Sequence, residues 1–370
     1  MRVQTTLLST SRSVRALTSP ISPSINISLA SRAGSKKKTS VAFSNALTCS
    51  SLRPDAPERA SRGETSTLER GALEDPAIVL GNVVSWNPTH KLKRVDAPVD
   101  SPPLVLLPGF GNCSKDYECP NSDPTDSIAA VLRRRGFRVY VAQVERKDWL
   151  NVGRALLSRK YWVGLCTVDP GYRWYLERIQ QAVDKARLEC GSEQVHLVGH
   201  SAGGWLGRAF VADPLYFDSP LGNEGVPHQG ISSLVTLGTP HVPPPATAGR
   251  DMTGGALTWV NMQWPGAHFA GKGVEYVCVA GCAVQADKFA PRNSIERYAH
   301  GSYSQVCGDG HGHMGDCVVP VAHAHLEGAK NLLLEGVYHS MGTNKSWPIE
   351  HRWYGSEDVV DRWAHCLVGR

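Results

Sequence analysis

Ser201, Asp316 and His339 are the residues of this chain whose types and order could carry out nucleophilic acyl chemistry. A serine hydroxyl attacks poorly until a base takes its proton, and the base needs an acid to fix its tautomer. Ser201 sits in Val195-His196-Leu197-Val198-Gly199-His200-Ser201-Ala202-Gly203-Gly204-Trp205. An apolar, partly β-branched run stops abruptly at Gly199, and a stretch able to form helix follows over 205–212. Strand, sharp turn and helix would hold Ser201 at an apex in a strained conformation. Gly199 and Gly203 would be there because bulkier neighbours clash. Behind such an elbow the acid and then the base follow on later turns, each after a strand.

That order selects the partners. The last apolar run, Leu332 to Val337, leads into Tyr338-His339-Ser340, and of the fourteen histidines only His339 sits on the turn directly after that final strand. For the acid, Gly315-Asp316-Cys317-Val318-Val319-Pro320 places Asp316 ahead of Asp309, in Gly308-Asp309-Gly310, and of Asp287. A tetrahedral oxyanion needs two amides already aimed at it. The amide of Ala202 is one. The other is expected from Pro108-Gly109-Phe110-Gly111-Asn112, with Phe110 the donor and its ring beside the acyl group. His311, His313, His323 and His325 crowd the loop around Asp316, with Cys307 and Cys317 near. Histidines two apart can bind a divalent metal, but no helical His-x-x-x-His pattern accompanies them, and neither metal nor cofactor is expected.

The elements that must position these groups alternate. Strands are expected over 77–84 at an edge, then 104–107, 137–144, the run before the elbow, 231–237, 274–280 and 332–337. Helices are expected over 127–135, 172–190, 205–212 and 356–367. On the second of these Trp174, Leu176, Ile179, Val183 and Leu188 should mostly share a face. This is the pattern of an α/β fold, a mostly parallel central sheet with helices on both faces. Between about 241 and 272 the pattern lapses into Pro243-Pro244-Pro245, Trp259, Met262, Trp264 and Phe269. Two readings compete there. One is a lid over Ser201 that offers Trp259 and Trp264 to an apolar substrate or a membrane surface. The other is a surface loop whose aromatics tuck into the core.

The net charge of +5 is unevenly spread: residues 1–54 supply eight Lys or Arg and no acid, which leaves the rest of the chain at −3. The folded part is therefore no general binder of nucleic acid. The first 60 residues, basic and rich in Ser and Thr, read as an organelle transit peptide, chloroplast first and mitochondrion second. Residues 75–370 then form the domain. Ten cysteines without a Cys-x-x-Cys pair read as mostly buried thiols in a reducing compartment. No run of eighteen apolar residues occurs, so no spanning helix is expected.

Leu-Pro-Gly-Phe-Gly-Asn at 107–112, Gly-His-Ser-Ala-Gly-Gly at 199–204, Thr-Leu-Gly-Thr-Pro-His at 236–241 and Gly-Asp-Cys-Val-Val-Pro at 315–320 together resemble the α/β-hydrolase superfamily. Within it the chain looks similar to the lipase and GPI-inositol-deacylase-like serine esterases of plant and algal plastids. The resemblance covers roughly residues 75–370. It implies an α/β-hydrolase fold, Ser201 as nucleophile, Asp316 as acid, His339 as base, and oxyanion donors at Phe110 and Ala202. Cys317 departs from the glycine the family usually has after the acid. The implied activity is hydrolysis of a small-molecule or lipid ester through an acyl-enzyme, with peripheral membrane contact. An acyltransferase with the same residues, or a non-catalytic binding protein of the same fold, are the alternatives.

Overall fold

A computed structural model describes residues 83–86, 93–212, 227–340 and 352–368. The chain divides into two units, 1–72 and 73–370. All described residues lie in the second, so the transit-peptide reading falls outside them.

Apolar runs of three to eight residues become strands because they can be buried on both faces of a parallel sheet. Seven do so: β1 (Val83–Trp86), β2 (Leu104–Leu107), β3 (Val139–Val141), β4 (Val195–His200), β5 (Ile231–Leu237), β6 (Glu275–Cys282) and β7 (Lys330–Glu335). They pair in parallel in the order β1-β7-β6-β5-β4-β2-β3. Side chains alternate between two cores. Val105, Leu107 and Leu197 pack with α2 (Arg173–Cys190), α3 (Ala202–Val211) and α4 (Ala256–Gln263). Leu104, Leu106 and Val198 pack with α1 (Ile128–Arg134) and α6 (Glu357–Ala364), while α5 (Ile295–Cys307) buries Tyr303 in a smaller cluster. That period of two is what puts helices on both faces.

The register brings together the turns that carry Phe110 and Ser201. Leu107 pairs with Gly199, and Gly199 with Thr236. The turn after β2, the elbow after β4 and the turn after β5 therefore leave the carboxyl end of the sheet side by side, where open parallel sheets build their sites. Arg135, just past α1, ties the two helices of its face. Its Nε and Nη2 reach the Asp361 carboxylate of α6 at 2.6 and 2.8 Å, and Arg135 is buried.

Of the two readings of 241–272, the burial of its tryptophans fits the one whose aromatics tuck into the core, and one expectation, for α2, is corrected. Neighbouring parallel strands need a crossover, and α4 supplies it between β5 and β6. Trp264 is 5% exposed in the core, and Trp259 is half-buried against the same cluster. The carbonyl of Trp264 takes a hydrogen bond from the buried Arg208 of α3. The buried face of α2 is Tyr175, Leu176, Ile179, Ala182, Val183 and Ala186, whereas Leu188 is exposed and Trp174 only partly covered. Small alanines let α2 lie close to its neighbours, and hydropathy alone undervalues them.

Candidate active site

Ser201 caps α3 with φ 52° and ψ −127°. This is a conformation that costs a non-glycine residue on the order of 1–3 kcal/mol and persists only when its surroundings enforce it. Three contacts enforce it here. The Ser201 amide donates to the Leu237 carbonyl at 2.9 Å, and its carbonyl accepts from the Gly204 amide at 3.0 Å and the Thr239 hydroxyl at 2.8 Å. The flanking glycines are sterically required. A Cβ on Gly199 would lie 2.4 Å from Gly204 Cα, and one on Gly203 would lie 2.3 Å from the Leu107 carbonyl oxygen.

The turn after β2 crosses close beside the serine, so that a Cβ on Gly109 would stand 2.9 Å from Ser201 Cβ. Among the described residues, the amides of Phe110 and Ala202 meet no acceptor. Ala202 opens a helix, where amides lack intrahelical partners. Two free donors thus flank the hydroxyl-bearing residue. The Phe110 ring is exposed and meets Trp149 edge-on at 5.0 Å between centroids.

His339 follows a two-residue strand, Val337–Tyr338, and is buried. Its Nδ1 lies 2.7 Å from Asp316 Oδ2, and its amide donates to the Asp316 carbonyl at 2.9 Å. Asp316 is fully buried, and all its oxygens are used. Oδ1 accepts from the Val318 and Val319 amides at 3.0 and 2.7 Å, and Oδ2 accepts from the Tyr354 hydroxyl at 2.7 Å. Burial alone would raise this carboxyl. The His339 imidazole, the Val319 amide and the Tyr354 hydroxyl outweigh burial and hold it below the ordinary value. Gly238, at φ +56°, and Gly281 make room, since a Cβ on either would press the Asp316 side chain at 2.4 and 2.9 Å. Asp309 lies elsewhere, exposed, 4.0 Å from His300, and Asp287 stands 3.5 Å from His311.

Cys317 has φ 85°, in the left-handed region that favours glycine. Its amide is held by the Tyr303 hydroxyl at 2.9 Å. His325 is buried and His323 half-buried, and burial lowers both to about 4. Among the described residues no three potential ligands converge on a metal position.

Three further residues, His200, Tyr117 and Tyr354, complete the candidate site. His200 is buried, with Nε2 2.8 Å from the His339 carbonyl, which can only accept. Nε2 therefore carries the proton, and Nδ1 accepts from the Tyr117 hydroxyl at 2.7 Å. That phenol oxygen in turn accepts from the Gly109 amide at 2.9 Å and from Asn112 Nδ2 at 3.0 Å. One chain of hydrogen bonds thus runs from the loop bearing His339, through the residue before Ser201, to the turn bearing Phe110. Burial and the neighbouring His339 push His200 down to about 3, so it stays neutral. Only a histidine interrupting an apolar strand, at 200, signalled this in the sequence. Tyr354, from a distant stretch, gave no signal.

Residues 102–269 match the family model described as alpha/beta hydrolase fold. The chain has the alpha/beta hydrolase fold. The matched stretch of that fold includes the turn at 108–112 and the elbow, and it ends before Asp316 and His339. A search of curated proteins gives no match. Similar solved structures include the lipase BlEst2 of Bacillus licheniformis, 14% identical with a TM-score of 0.40, covering 75% of this chain and 97% of that one. The metagenomic carboxyl esterase MGS0156 is 12% identical with a TM-score of 0.41, covering 75% and 79%. Phospholipase PlaB from Legionella pneumophila is 14% identical with a TM-score of 0.39, covering 72% and 63%.

Proposed function

We propose that this chain is a serine hydrolase that cleaves carboxylic esters through an acyl-enzyme. The observation carrying the proposal is the buried Asp316–His339 pair, 2.7 Å apart, on the loop whose carbonyl touches the residue preceding the strained Ser201. Ser201 Oγ attacks the ester carbonyl while His339 Nε2 takes its proton. Asp316 holds Nδ1–H in place and stabilises the imidazolium. The amides of Phe110 and Ala202 receive the oxyanion. The C–O bond to the alcohol breaks as His339 returns the proton to the leaving oxygen. Water, deprotonated by the same imidazole, then attacks the acyl-serine and releases the acid, restoring the Ser201 hydroxyl.

The ester is proposed to be a small molecule or a lipid, and the branch resembled is that of plastid lipases. A plastid address rests on the composition of residues 1–54 alone. The test is hydrolysis of a panel of short-chain, long-chain and isoprenoid esters by the full chain. Turnover of at least one class should disappear in Ser201→Ala. No turnover, or turnover indifferent to Ser201→Ala, would overturn the reading in favour of a binding protein that keeps the fold.

A further inference from the structure

Between Arg146 and Leu165 the chain runs through two single helical turns, Gly153–Leu156 and Arg159–Trp162. Leu150, Leu156, Leu157, Trp162, Val163 and Leu165 all face solvent. Leu157 is 90% exposed, Leu150 76% and Trp162 63%. These side chains are not exposed because the segment is loose. Trp149, Ala155 and Cys166 anchor it in the interior. The Cys166 amide donates to the Gly254 carbonyl at 3.0 Å, and the Trp162 indole donates to the Leu156 carbonyl at 2.9 Å. The Arg250 guanidinium lies over the Tyr161 and Trp162 rings at 4.7 and 5.3 Å. A well-held cluster of large apolar side chains in water marks a surface made to meet something apolar.

Charge narrows the partner. The same twenty residues contain five cations and one carboxylate, Asp148. Arg146 and Lys147 pair with Asp116 and Glu145. Arg154, Arg159 and Lys160 are exposed, and among the described residues they pair with no carboxylate. Leucines and a tryptophan interleaved with unneutralised cations fit the boundary of an anionic lipid layer, where acyl chains take the apolar groups and headgroups take the charges. The face also adjoins the site. Trp149, on its inner side, donates from its indole to the Asn112 carbonyl at 2.8 Å and packs on the Phe110 ring.

We infer that residues 150–165 dock this protein on an anionic membrane surface, which sets the Phe110 turn against the lipid. Docking itself does not depend on the esterase reading; the delivery of a lipid ester to Ser201 from that surface does.

The full chain is mixed with vesicles of phosphatidylcholine, with or without phosphatidylglycerol, and co-sedimentation is measured. Residues 1–54 carry cations of their own, so variants of the same full chain are compared. The wild type should prefer phosphatidylglycerol vesicles and lose binding as salt is raised. Leu157→Asp with Trp162→Asp should lower partition about tenfold or more, and Lys160→Ser alone on the order of fivefold. Near-UV circular dichroism should stay as in the wild type. Ser201→Ala should bind as the wild type does. On the esterase reading, the double variant should keep hydrolysis of a soluble short-chain ester and lose hydrolysis of a vesicle-borne one. Wild-type-like vesicle binding by the double variant would overturn the inference. So would a dimer, seen by sedimentation velocity, that the same substitutions abolish, since the face would then join two copies of the chain. Absence of soluble-ester turnover in a wild type that binds vesicles would count against the esterase reading and leave docking in place.

Discussion

At Asp316 the electrostatic pull of His339, with the hydrogen bonds from His339, Val319 and Tyr354, outweighs burial, since a fully buried carboxylate would otherwise take up a proton and lose its hold on His339. His339→Ala should therefore lower kcat by on the order of a thousandfold with the fold intact. Retained turnover in folded protein would mean that another base works. Tyr117→Phe should act differently. It removes the hydroxyl shared by the Gly109 amide, Asn112 and His200, and leaves buried groups unpaired at a cost of about 1–3 kcal/mol. Because those groups orient the oxyanion turn, kcat should fall about tenfold or more with KM nearly unchanged. A lowered Tm with undiminished kcat would reduce Tyr117 to a packing role. The elbow at Ser201 and the pairing of Asp316 with His339 were legible because an elbow's glycines and chain order leave a local trace. Tyr117 lies 83 residues before His200, and Tyr354 38 after Asp316, so their contacts exist only once the chain has folded.

At the level of elements, strands 104–107 and 231–237 could be read to the residue because both are short, wholly buried runs bounded by proline or glycine. The stretch 241–272 could not. The helix 256–263 carries polar Thr258, Asn261 and Gln263 among its apolar residues and begins after two left-handed glycines, so its period is faint. It was the need for a crossover between adjacent parallel strands that decided its role. The aromatic, basic stretch after β3 holds the exposed apolar surface that the lid was expected to provide. The clamp between α1 and α6 gives a further prediction. Exposed pairs such as Arg173–Asp169 contribute little, whereas the bidentate Arg135–Asp361 pair is almost wholly shielded. Arg135→Ala should lower stability by about 3–5 kcal/mol, read from urea midpoints, because it leaves Asp361 charged and unpaired. A loss no larger than that from Arg173→Ala would contradict the assignment.

For the molecule as a whole, buried and half-buried histidines held neutral set the response to acid. His200 is held to about 3, His323 and His325 to about 4, and His241 well below its ordinary 6.5, all chiefly by burial. Unfolding frees each to bind a proton below pH 6.5, so the unfolded state gains protons that the folded state refuses. Stability therefore rises with pH across this window and is lost as pH falls from 6.5 toward 4. Asp316, depressed by its partners, adds a further loss only below its unfolded value of 3.8. Urea midpoints measured from pH 7 down to pH 4.5 should decline steadily, and a flat profile would show that these imidazoles are not kept neutral. The central claim, that Ser201 is activated by His339 within this fold, is tested most directly by reaction with a fluorophosphonate and peptide mapping of the adduct. One adduct on Ser201, absent from Ser201→Ala and strongly slowed in His339→Ala, is the predicted result. No adduct, or one at the same rate without His339, would contradict it.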